Sequence, residues 1–546
     1  MADHSERGRE VFAQQAWADT YRVLIQSPRA TLDAAELERL AVASYLLGDD
    51  GGSLTAWEDA HRRHLEAGDR AGAAHCSFWL AFCLMMRGQM AHAGGWLSRA
   101  GGIISTDLDC AAAGYLLIPA MLGALEDGDA ATARDLAVRA AEIAARFDDR
   151  DLAAFATLGL GQALVALGEP TAGTARFDEV MLSVSAGDVG PITSGIVYCA
   201  VILECMQIFD LARASEWTGA LDAWCAVQPG LVPFRGQCLV HRSQLLQAAG
   251  DWPAAITTVE SACRRLADPP HPALGLARYQ EAELHRLAGA FDDAAVAYGR
   301  ASRDGYQPMP GLAKLELARG HGDAAAASIR RALQETREPL KRPALLAAAV
   351  DVFRETRDLG AARTAADELA DIAARSPSAV LGAMADQAVG TVLLGEGDPS
   401  AALTRLRLAG AVWQRLHMPY EAAVTAVLLG LSCIALGDRA SAALEFDNAL
   451  ETFGELGAGP DLDRVRHLAD GFDFGAATAD DGVRALSTRE LEVLAHVAAG
   501  ETNREIATAL VISQHTVGRH LENIFAKLGV RGRAAATAHA YEHGLL

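Results

Sequence analysis

The chain has 546 residues, 51% of them hydrophobic, and a formal net charge of −22, so it can hold several domains or one extended repeat array and is too apolar to be disordered. Alanine and leucine dominate and β-branched runs are few, which favours helix almost throughout. Lys314, Lys341 and Lys527 are the only lysines, and that scarcity excludes several enzyme families.

The amino terminus, MADHSERGREVFAQQAW, has no apolar run behind a basic start, and no later stretch reaches the roughly 18 apolar residues of a membrane span. A cytoplasmic protein is expected. The nine cysteines are odd in number, form no C-x-x-C pair and mostly sit in apolar helical pattern (Cys76, Cys83, Cys199, Cys205, Cys238), so they read as reduced core residues.

From the first residues onward a glycine or its stand-in keeps returning, followed by small and larger apolar residues at fixed offsets. The anchors are Gly8, Gly48, Gly88, Gly128, Gly168, Phe209, Gly250, Gly289, Gly320, Arg357, Gly397 and Gly437, and most intervals are 39 to 41 residues. In Ala282 to Ser302, Ala282, Gly289, Phe291, Ala294, Tyr298 and Ala301 fall at the offsets of a tetratricopeptide repeat. Small residues there let two antiparallel helices touch and larger ones fill the gaps. The offsets recur as Ser243, Gly250, Trp252, Ala255, Val259 and Ala262, and as Gly430, Gly437, Ala442, Phe446 and Ala449.

The sequence thus resembles an all-α, tetratricopeptide-like α-solenoid over residues 1–470. Each helix pair would bury its face only against its neighbours and leave a concave surface for a peptide, a partner protein or a small ligand. One window departs from the alanine-leucine monotony, Val232 to Arg242 with Asp268 to Arg286. Arg235, Gln237, His241, Arg242, Arg278, Tyr279 and Glu281 are candidates there for an effector pocket, with inter-repeat packing and solvated helix faces as the alternative. Beyond a helix from about Asp461, residues 471–485 are rich in Gly, Ala and Asp and read as a linker.

The C-terminal piece, 486–546, is electrically different: from Ser487 onward six Arg or Lys face six Asp or Glu, so the acidic excess belongs to the repeats. Ser487 with Glu490 and Thr502 with Glu505 have capping-box spacing, and Ser513 caps a third helix from Gln514 to about Leu528 that Gly529 ends. A fourth helix runs from about Arg533 to His543. Four short helices with a tight turn between the second and third make a helix-turn-helix. On the third, Val517, Leu521, Ile524, Phe525 and Leu528 form one apolar stripe. Opposite lie His515, Arg519, Glu522, Asn523 and Ala526, and one flank carries Thr516, His520 and Lys527. Arg519 has the geometry for guanine O6 and N7, and Asn523 for adenine.

The stretches LSTRELEVL, GETNREIA, ISQHTVGRHLENIFAKLGV and RGRAAA closely resemble the helix-turn-helix of the LuxR family of bacterial transcription regulators. Glu490, Gly500, Asn503, Glu505, Ile506, Ala507, Ser513, Thr516, Val517, His520, Ile524, Lys527, Leu528 and Val530 match at the family's spacing. The resemblance implies a sequence-specific regulator of transcription that binds double-stranded DNA as a homodimer, with half-sites about 10 base pairs apart. It implies base-facing positions for His515, Arg519, Glu522 and Asn523 and phosphate contacts for Arg504, Ser513, Thr516, Lys527 and Arg531. Gly518 and Glu522 depart from the family's common residues, so the preferred site should differ.

No P-loop, G-x-S-x-G, H-E-x-x-H or His/Cys pair at metal spacing occurs, and no enzymatic activity, metal or cofactor is expected. The histidine pairs His61 with His64 and His241 with His285 read as surface or inter-repeat residues. The alternative function is an interaction scaffold whose terminal bundle serves dimerisation. Docking of the neutral domain on the acidic array would block Arg519.

Overall fold

A computed structural model describes residues 2–104, 108–228, 230–231, 235–268, 271–472, 486, 488–510 and 514–545. Among the described residues all regular structure is helical: thirty α-helices and a single 3-10 turn, Arg29–Thr31. The chain forms two compact units. The first comprises Met1–Leu245, Ala255–Gln280 and Arg300–Tyr306, and the second comprises Leu246–Ala254, Glu281–Gly299 and Gln307–Leu546. No helix of the described residues is long and apolar enough to cross a membrane, and all nine cysteines are buried thiols.

Helices pack chiefly on their neighbours in the chain, and the turns between them explain the period. Every expected anchor from Gly48 onward has positive φ, from 59° at Phe209 to 88° at Gly250 and Gly289. A second set, Gly68, Asp148, Gly187, Gly230, His417 and Gly457, has the same left-handed conformation and falls about midway between anchors. Where both turns occur, as at Gly48 with Gly68 and Gly128 with Asp148, the repeat is two helices of similar length ended alike. Gly8 is the exception. It lies inside the helix Ala2–Ala13, and the first left-handed turn is at Gln15, φ 57°.

At several of these turns an aspartate directly after the left-handed residue opens the next helix. Asp49, Asp69, Asp129, Asp149, Asp210, Asp358, Asp398 and Asp438 each accept a hydrogen bond from the backbone N–H three residues on. Such a cap is worth about 1 kcal/mol, and its charge also complements the helix N-terminus. Part of the array's acidity is thus turn chemistry.

Between the helices of a pair, small meets large. A Cβ added at Gly161 would lie 2.5 Å from Phe177, at Gly390 2.7 Å from Leu406 and at Gly430 2.7 Å from Phe446. Each pair is sixteen residues apart, the spacing that also separates Ala282 from Tyr298. Ala282, Ala294, Tyr298 and Ala301 are buried, as are Ser243, Ala255, Val259, Ala262, Ala442, Phe446 and Ala449.

In one respect the packing exceeds the nearest-neighbour expectation. Within the second unit the turn at Gly250 lies against Pro419 and the turn at Gly289 against Pro460, with 2.7 Å and 3.0 Å to a hypothetical Cβ. The Trp252 and Tyr420 rings stand 5.7 Å apart. Residues without a Cβ meet flat proline rings there, which joins repeats far apart in the chain.

Candidate nucleic-acid interface

Four helices close the second unit: Thr488–Ala498, Asn503–Leu510, Gln514–Leu528 and Arg533–Glu542. Their own core is Val493, Leu494, Val497, Ile506, Ala507, Val517, Leu521, Ile524, Ala536 and Ala540, with Phe525, Leu528 and Val530 against it. The apolar stripe of the third helix faces inward as its period requires. The Thr502–Glu505 capping box is formed: Thr502 N donates to Glu505 at 2.7 Å, and Glu505 N donates to Thr502 Oγ1 at 3.3 Å. Gly529 and Gly544 end their helices at φ 65° and 62°.

The polar residues divide into internal ties and an outer face. Lys527 Nζ donates to Glu490 Oε2 at 2.6 Å, and Glu490 is only 1% exposed. The lysine amine expected at a phosphate is thus held by a buried carboxylate of the first helix. Arg489, equally unforeseen, donates to Glu492 at 2.5 Å and to the carbonyl of Leu510. Arg533 donates to the side chain of Asn503 and the carbonyl of Glu501, fastening the fourth helix to the turn before the second. A sequence offers no signal for which partner a surface arginine takes. His520, assigned to a flank by periodicity, is 3% exposed, and burial beside Arg489 drives its pKa down to about 4.

Arg519, Glu522, Arg504 and Arg531 are exposed, and Asn523 is half-buried. Ser513 and Ser487 lie outside the described residues, as do the side chains of His515 and Thr516, whose backbone is helical. Gly518 has open space around it: an added Cβ meets nothing within 4 Å.

The outer face is not wholly free. Arg519 donates to Asp447 Oδ2 at 2.7 Å, a partner 72 residues away on the repeat helix Arg439–Leu456. Two residues before Asp447 on the same helix, burial pushes the Glu445 carboxyl up to about 7, opposed by Arg489 and Arg407. Burial also lowers the Arg407 guanidinium, as does Arg489. Repeat and helix-turn-helix charges therefore share one seam.

The expected effector residues are placed less decisively. The side chains of Arg235 and Gln237 lie outside the described residues. His241 is buried, held by Gln244 at 3.1 Å and with its pKa lowered by burial. Arg242 pairs with Asp222 at 2.6 Å, and the Tyr279 ring lies 5.2 Å from that of Tyr306. Arg278 belongs to the first unit and Glu281 to the second. A polar hollow lined by Asp178, Asp210, Arg213, Glu216 and Trp217 lies elsewhere.

Residues 484–540 match the family described as "Bacterial regulatory proteins, luxR family". The nitrate/nitrite response regulator protein NarP of Escherichia coli (strain K12) is 47% identical over 64 residues, which are 12% of this chain and 29% of that protein. The response regulator protein VraR of Staphylococcus aureus is 43% identical over 61 residues, 11% of this chain and 29% of that protein. The chain thus spans under a third of these relatives' length. Among solved structures, the APC/C hetero-tetramer Cut9–Hcn1 aligns with a TM-score of 0.36 at 13% identity, over 84% of this chain and 95% of that one. The human IFIT1 dimer with PPP-AAAA aligns with a TM-score of 0.34 at 13% identity, over 77% and 90%. The chain carries, at the C-terminal end of an all-α repeat array, a helix-turn-helix domain of the LuxR type.

Proposed function

We propose that the protein is a sequence-specific DNA-binding regulator of transcription whose helical-repeat array, residues 1–470, controls the domain at 486–546 through the linker 471–485. The observation that carries this reading is the ion pair between Arg519 and Asp447. Arg519 is the side chain best suited to guanine on the outer face of the third helix, and in this arrangement a carboxylate of the array occupies it. His515, Glu522 and Asn523 complete the base-facing set. Ser513 and Thr516 at the helix start, with Arg504 and Arg531, take the phosphates, while Lys527 serves through Glu490. The domain acts as a homodimer on paired half-sites.

Both members of the Arg519–Asp447 pair are about half exposed, and such a pair is worth about 0.2–1 kcal/mol. The latch is weak by design of its chemistry. A small-molecule or protein effector on the array needs only a modest preference for the released state to shift the balance. Gel-shift or footprinting measurements on native DNA test the reading: wild type binds selectively and Arg519→Ala loses that selectivity. No selective binding by the wild type at any salt concentration would favour an interaction scaffold.

A further inference from the structure

Three consecutive helices of the first unit bring one carboxylate, one imidazole and one thiol together. Glu38 stands on Ala34–Leu46, His64 on Asp50–Glu66 and Cys76 on Arg70–Met86. One ligand atom from each lies within 4.8 Å of the others. His64 Nε2 is 2.7 Å from Glu38 Oε1, and Cys76 Sγ is 3.6 Å from the same oxygen. Cys76 is fully buried, while the His64 and Glu38 side chains are 15% and 30% exposed.

The imidazole is aimed from behind. Asp69 Oδ2 takes His64 Nδ1 at 2.8 Å, and Asp69 Oδ1 accepts from Gly72 N at 3.0 Å as a helix cap. A Cβ at Gly72 would come 2.3 Å from His64 Nδ1, so only glycine leaves room for this orientation. A carboxylate that fixes Nδ1–H and turns Nε2 toward a neighbouring donor set is the arrangement that supports metal-bound histidines. The flanking carboxylates Glu38 and Asp69 hold the imidazolium pKa above its usual value, and burial with Glu38 holds the Cys76 thiol protonated.

We infer that Glu38, His64 and Cys76 form a three-ligand site for a divalent ion of borderline softness, zinc foremost, with a fourth position open to water or another ligand. Mixed oxygen, nitrogen and sulfur donors suit that class of ion. Zinc bond lengths in a tetrahedron set donor–donor separations of roughly 3.3–3.6 Å. The sulfur–oxygen separation already fits, and the nitrogen–oxygen one has to open by about half an ångström. Binding displaces the Cys76 thiol proton and any proton on His64 Nε2, so M²⁺ enters and one or two protons leave. The chain spacing of the ligands, 26 and 12 residues, matches no local metal motif because each comes from a different helix.

Cobalt(II) added anaerobically to the full-length protein tests the site. One equivalent should give a thiolate-to-cobalt band in the near ultraviolet. The band should vanish in Cys76→Ser and persist in Cys83→Ser, and Asp69→Asn should weaken binding about 10- to 100-fold. A band that survives Cys76→Ser, or none at all in the wild type, would overturn the inference. Proton release on zinc addition to wild type gives a second readout, independent of whether Cys76→Ser folds. Release of at least one proton per ion, that of the Cys76 thiol, supports the site, and less than one contradicts it.

Discussion

The repeat array and the C-terminal domain solve the same problem, packing short helices, by different means. The array reuses one solution: a left-handed residue, an aspartate cap, and a glycine or alanine facing a large side chain, as at Gly430 and Phe446. The terminal domain ties its helices with individual charged side chains: Lys527 on Glu490, Arg533 on Asn503 and the Glu501 carbonyl, Arg489 on Glu492 and the Leu510 carbonyl. The array thus repeats one device along its length, whereas the ties of the small domain differ from one another. The difference also leaves Arg519 as a polar group with two competing uses.

The sharpest way to break that contrast is Lys527→Met. Removing the cation takes the Lys527 amine from a carboxylate that is 1% exposed, and breaking a buried ion pair by removing one member typically costs about 3–5 kcal/mol. Thermal unfolding of the C-terminal domain should move to markedly lower temperature while the array's transition stays. An unchanged transition with weakened DNA binding would return Lys527 to a phosphate role.

Glycine substitutions should have opposite signs in the two regions. Gly430→Ala forces a methyl into Phe446 and should destabilise the array by about 1–3 kcal/mol. Gly518→Ala enters open space inside a helix and should stabilise the small domain by about 1 kcal/mol. Denaturant titration with a probe in each region checks both, and a loss at Gly518 would mean its backbone contacts are misjudged.

Titration separates the regions next. The folded pKa of Glu445 is raised above its ordinary 4.5 to about 7. The contribution of this acid to the docked arrangement is therefore complete below 4.5 and lost as pH rises through 7. His520 is depressed from 6.5 to about 4, so its contribution is present above 6.5 and lost as pH falls toward 4. DNA affinity of the full-length protein should rise as pH passes 7, and the rise should flatten in Glu445→Gln. Domain stability should fall on the acid side of 6.5, a trend that melting curves across pH will show or refute.

What was legible in the sequence follows the same division. Period and apolar stripe announced the anchors from Gly48 to Gly437 and the inward face of Val517, Leu521 and Ile524, because both depend on spacing along the chain. Gly8 misled because a glycine inside a helix and one ending it look alike, and Gln15 took the turn instead. The aspartate that follows several of the left-handed residues and caps the next helix was visible but is a second-position signal easily lost beside glycine. Partners of Lys527, Arg533 and Arg519, and the meeting of Glu38, His64 and Cys76, depend on which helices pack together. Spacing carries no record of that.

The latch itself comes down to Asp447, whose removal should change DNA affinity by the modest worth of an exposed pair. The most direct measurement is the affinity of full-length wild type and Asp447→Asn for the same native DNA fragment at matched salt and pH. The account predicts tighter binding by the variant, up to about fivefold for a pair worth 0.2–1 kcal/mol, with Arg519→Ala losing selectivity in either background. Equal or weaker binding by Asp447→Asn would contradict it.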